Sequence, residues 1–121
     1  MFRIAEMYLI RAEANAEKTN LAAAATDLNT LRARRITGYA DQTFAGKQAI
    51  IDSVYTERYK ELAFEGHRFF DLRRRNLPVT REAADAVNAL GAVLLANDKA
   101  QYVFPLPDAE VRLGLKQNPK Y

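Results

Sequence analysis

The chain has 121 residues, 49% of them hydrophobic and 27% charged, which is the composition of a folded protein and excludes a disordered segment. Its net charge of +3 arises from 18 Lys and Arg interleaved with 15 Asp and Glu, so no basic stripe of the kind that grips nucleic acid stands out, and no nucleic-acid partner is expected. There is no cysteine and only one histidine, so disulfides and thiolate metal sites are excluded, and a zinc site would need His67 together with three carboxylates.

No apolar run approaches the roughly 18 residues of a membrane span. The longest, Leu90 to Ala96, is far shorter. Arg3 and Glu6 interrupt any leader-like apolar segment, and amphipathic helix begins at once, which reads as an internal boundary of a longer protein.

In chain order, Phe2 to Lys18 reads as a helix, with Ile4, Met7, Tyr8, Ala12 and Ala16 at the spacing of one face. Thr19 and Asn20 break it. Leu21 to Arg35 reads as a second helix with a stripe of Leu21, Ala24, Ala25, Leu28 and Leu31. Its alanines favour helix and allow close backbone approach. So short a turn forces the two helices antiparallel. A helix, turn and alanine-rich helix of about this length is also the size of one tetratricopeptide unit, which needs stacked neighbours to bury both faces.

Ile36 to Gly46 reads as a loop, with Gly38 as the stop of the second helix and Thr43 as the cap of a third. That third helix is expected over Phe44 to Phe64, with Ile51, Val54, Tyr55, Arg58 and Leu62 on one face and Gly66 ending it. His67 to Arg75 continues as helix until Asn76 to Pro78 breaks it. Thr80 to Leu90 is predicted as a further helix capped by Thr80. Gly91 to Ala100 fits helix end, strand or loop. Pro105 and Pro107 make Gln101 to Pro107 extended. Asp108 is placed to cap a short helix, Ala109 to Leu113, and Lys116 to Tyr121 reads as an irregular tail.

The densest charge pattern lies on and after the third helix. Glu57, Glu61 and Glu65 recur at four-residue spacing and share a face. Like charges so placed repel, so cations must meet them from elsewhere. Arg58, Arg68 and Arg73 are near in sequence, and Arg11 and Arg32 lie on the paired helices. The expectation is a structural arginine–carboxylate network that locks the third helix and the following turn onto the helical pair. The run Arg73, Arg74, Arg75 points in different directions on a helix and reads as a solvated or ion-paired surface.

Catalysis finds little support. Glutamates on one helical stripe do not flank a scissile sugar bond as a glycosidase pair does. Ser53 is the single serine, and His67 sits between Gly66 and Arg68 with no nucleophile beside it. The glycines at 38, 46, 66, 91 and 114 are scattered, so there is no phosphate loop, and no cofactor or metal is expected. Tyr8, Tyr55, Tyr59, Phe64, Phe69 and Phe70 fall at helical spacing and read as core. Tyr39, Phe44, Tyr102 and Tyr121 fall in loops. No ligand-binding residue can be named among them.

The segment Glu57, Arg58, then Glu61, Leu62, Ala63, Phe64, Glu65, Gly66, His67, Arg68, Phe69, Phe70, Asp71, Leu72, Arg73, Arg74 resembles the signature of the SusD/RagB family. Ala5 to Ala14 resembles that family's first helix of the region, and Leu28, Asn29, Arg32 and Arg34 its partner helix. Phe104 to Pro107 with Glu110, and Gln117 to Tyr121, resemble the family's end. Lys120, where the family usually has glycine, and Leu113, Gly114, Leu115, in place of an asparagine-containing stretch, depart from the pattern.

The resemblance implies an all-α fold with tetratricopeptide-like helix pairs and an irregular C-terminal segment. Residues 1–121 would be the C-terminal portion of a chain about four times longer. It implies an outward-facing outer-membrane lipoprotein that binds oligosaccharides or other nutrients and serves a SusC-like TonB-dependent transporter, without enzyme activity. The lipid anchor and most ligand contacts would lie outside this segment. Glu57, Arg58, Glu61, Leu62, Glu65, Gly66, Arg68, Asp71 and Arg73 would be scaffold residues. The alternative is a free-standing helical repeat module that binds another protein.

Overall fold

The computed structural model describes residues 3–89 and 92–119. It divides into two compact units, one running through Arg68 and the other starting at Phe69. Among the described residues the regular structure is almost wholly helical, with one ladder of two-residue strands, so the fold is all-α.

The first unit holds α1 (Ile4–Glu17), α2 (Leu21–Ala33) and α3 (Lys47–Glu61). The turn between α1 and α2 is closed by its own backbone. The N–H of Asn20 donates to the Asn15 carbonyl at 2.8 Å, with Thr19 in the left-handed region at φ 62°. That is the wrapped end by which a helix satisfies its last carbonyls before reversing. α1 then packs against both α2 and α3. Their shared core is Ala5, Leu9, Ala12 and Ala16 from α1, Ala24, Leu28 and Leu31 from α2, and Ile50, Ile51, Val54 and Tyr55 from α3. Alanine supplies much of it, which lets the helix axes approach closely and gives Leu9, Leu28, Ile50 and Val54 no residual exposure worth counting.

One buried face and three boundaries differ from the sequence reading. The buried face of α1 is Ala5, Leu9, Ala12 and Ala16, while Ile4 and Met7 are exposed. Two stripes of α1 carry apolar residues, and the one with small side chains fits the tight seam. α2 ends at Ala33, before Arg35 and Gly38, with the Ile36 N–H turned back to the Arg32 carbonyl at 2.9 Å. α3 begins at Lys47 instead of Phe44, because Phe44 packs against the core from the loop and Gly46 takes the capping position expected of Thr43. α3 also stops at Glu61, three residues before Phe64. Phe64 and Gly66 lie in the left-handed region at φ 64° and 77°, a conformation that ends a helix and that a bulky side chain adopts only under local constraint.

α4 (His67–Arg74) spans the division between the units. In the second unit its C-terminus closes like that of α1. Leu77 N–H donates to the Leu72 carbonyl at 2.8 Å, and Asn76 takes the left-handed position at φ 54°. The helix expected from Thr80 to Leu90 is not an α-helix. Thr80 belongs to β1 (Val79–Thr80), which pairs antiparallel with β2 (Leu94–Leu95), and a 3-10 segment covers Ala83–Ala89. Thr80 lies in the ladder three residues before that segment begins, so it is not at its capping position. A second 3-10 turn, Ala100–Tyr102, interrupts the stretch expected to be extended, and the chain becomes extended from Val103. α5 (Asp108–Arg112) starts at Asp108 itself with Pro107 as its cap residue. The Gln117 side chain brackets Leu106, accepting from its N–H and donating to its carbonyl at 3.1 Å each, which fixes the tail. The parts of the sequence reading that fall on Phe2, Leu90, Gly91, Lys120 and Tyr121 lie outside the described residues.

Candidate functional site

Part of the charged network singled out in the sequence comes together on the first unit's seams. Arg32 of α2 and Glu57 of α3 form the inner pair. Arg32 Nε donates to Glu57 Oε2 at 2.7 Å, and the two side chains are only 10% and 6% exposed. Arg32 Nη1 also donates to Gln42 Oε1 at 2.8 Å. Burial pulls the Arg32 pKa down, but the hydrogen bonds and charge of Glu57 and the nearby Tyr39 outweigh it and hold the guanidinium above its ordinary value. An arginine with its donors satisfied on two sides is the form in which a buried charge is tolerated.

Asn29, one turn before Arg32, completes this lock. Its Nδ2 donates to the Gln42 carbonyl at 3.0 Å. Its Oδ1 accepts from the Tyr39 hydroxyl at 2.7 Å and from the Gln42 N–H at 3.2 Å. This loop is largely exposed and has no secondary structure, and one asparagine pairs both the N–H and the carbonyl of its Gln42. Leu28, Asn29 and Arg32 thus divide three tasks on α2: core, loop and partner helix.

The outer glutamates are met by other arginines. Arg35 holds Glu61 through two bonds, Nε to Oε1 at 2.5 Å and Nη2 to Oε2 at 2.9 Å, and those contacts raise the Arg35 pKa. Arg3 Nη1 lies 2.7 Å from Glu65 Oε1. Neither arginine is among the cations expected from the sequence, because pairs across helices depend on packing and not on spacing along the chain. Arg11, expected to reach the glutamate stripe, instead forms a two-bond pair with Asp27 of the same hairpin at 2.9 and 2.6 Å. That contact raises the Arg11 pKa, through the hydrogen bond first and the charge second.

The remaining motif residues are placed as follows. Arg58 is buried, with Nη2 4.0 Å from Glu6 Oε1, and Leu62, four residues on, is buried too. Buried Glu13 accepts from the Tyr55 hydroxyl at 2.8 Å, a second polar tie between α1 and α3 that the sequence reading did not name. His67 Nδ1 stands 3.9 Å from Glu6 Oε1. Arg68 is exposed and lies over the Tyr59 ring at 5.1 Å, so it is not one of the cations on the stripe. Gly66 provides the left-handed turn after Glu65. In the second unit Asp71 is buried, with Oδ1 3.4 Å from Arg74 Nη2, and Arg73 is exposed.

The aromatics divide. Tyr55 is core, but Tyr59, Phe64 and Phe70 are exposed, against the expectation of packing. Phe69 has ring neighbours in Phe70, Tyr102 and Phe104 at 5.9, 5.4 and 6.3 Å. Tyr102 is buried and its hydroxyl donates to the Leu77 carbonyl at 2.5 Å, although its sequence position read as loop. Among the described residues no group of three or more His, Asp or Glu is placed to hold a metal ion. No described helix is long and apolar enough to cross a membrane.

A hairpin of two antiparallel helices, cross-tied to a third by buried arginine–carboxylate contacts, defines the class: an all-α protein built on a helical-pair scaffold. The model of the SusD family matches residues 1–121, and the chain belongs to that family. A solved SusD superfamily protein from Bacteroides vulgatus is similar over 99% of this chain, with 30% identity and a TM-score of 0.76. The chain spans 27% of that protein's length. No curated protein matches the sequence.

Proposed function

We propose that residues 1–121 are the C-terminal helical scaffold of a longer, outward-facing outer-membrane lipoprotein. The parent protein binds oligosaccharides or related nutrients and hands them to a SusC-like TonB-dependent transporter. Family membership supports nutrient capture as the role of the whole protein. One observation carries the scaffold reading: the Arg32–Glu57 pair, 2.7 Å apart and almost wholly buried, with its carboxylate turned into a helix seam. A carboxylate bonded to a guanidinium inside a helix seam has no open face from which to reach a substrate. On this reading the segment is scaffold and not enzyme, and ligand capture and lipid anchoring are assigned to other parts of the parent chain.

The test compares the full-length protein with residues 1–121 by calorimetric titration against a panel of oligosaccharides, alongside an assay for new reducing ends. The expected result is binding by the full-length protein, none by the segment, and no hydrolysis by either. Turnover of a sugar, or full affinity in the segment alone, would overturn the reading. Co-purification with a TonB-dependent transporter and protease accessibility on intact cells test delivery and outward orientation.

A further inference from the structure

We draw no further inference here: the strongest candidate, the groove of about 330 Å³ between α1 and α2 lined by Ile4, Tyr8, Leu31 and Arg34, is an unpartnered helix face, and nothing in the structure shows what covers it.

Discussion

The two units hold themselves together by different means. The first has a continuous apolar core drawn from three helices, and polar seams in which Arg32, Glu57, Asn29 and Glu13 are buried with partners. Among the described residues the second buries few large side chains, chiefly Leu72 and Tyr102, and leaves Phe70, Phe104, Leu113 and Leu115 exposed. It relies on short-range devices instead: a wrapped helix end at Asn76, a two-residue ladder, a tyrosine hydroxyl on a carbonyl, and the Gln117 bracket on Leu106. Long helices can satisfy their own backbone and spend side chains on each other. Short irregular segments must spend side chains on backbone groups.

Removing a partner from the innermost pair should have the largest effect. Glu57→Gln keeps an acceptor for Arg32 but removes the counter-charge of a buried guanidinium, at a cost of about 3–5 kcal/mol. Thermal melting should show it, and hydrogen exchange should place the loss in α2 and α3. Asn29→Ala strips three contacts from the Tyr39–Gln42 loop and should cost about 1–3 kcal/mol, with faster exchange concentrated at Gln42. In the second unit, Tyr102→Phe removes one hydrogen bond and keeps the ring, so about 0.5–1.5 kcal/mol is expected. Its exchange signature should stay beyond residue 68. A change that spreads evenly over both units would break the contrast between them. Arg68→Glu should do least, within about 0.5 kcal/mol, because its guanidinium is exposed over a tyrosine ring.

Much of this was legible in the amino-acid order. Helical periodicity marks α1 to α4, the four-residue glutamate spacing announces a need for cations, and the run from Glu57 to Arg74 carries the family resemblance. What periodicity could not reveal is which of two apolar stripes on α1 turns inward, since Ile4 and Met7 compete with Ala5 and Leu9 and only the helix spacing decides. Nor could it assign Arg35 to Glu61 or Arg3 to Glu65, contacts between residues 26 and 62 apart in number that exist only once the hairpin has docked. Asn29 stood among the motif residues, but its role depends on a loop whose path is set by Gln42 and Tyr39. The misplaced helix at Thr80 has a similar cause: a cap-forming residue was already engaged in a non-local ladder with Leu94.

The three raised arginine pKa values bear on pH in one direction. A folded-state pKa above the unfolded one stabilises the fold fully at any pH below the unfolded value, and is lost as pH rises through the folded value. The contributions of Arg11, Arg32 and Arg35 are therefore constant across the physiological range.

The most direct measurement is a double-mutant cycle on Arg32→Met and Glu57→Met, followed by denaturant unfolding. If the pair ties α2 to α3, each single change is severely destabilising and the double change restores part of the loss, giving a coupling energy of roughly 1–3 kcal/mol. Additive losses with no coupling would mean that the two side chains are neighbours without being a tie.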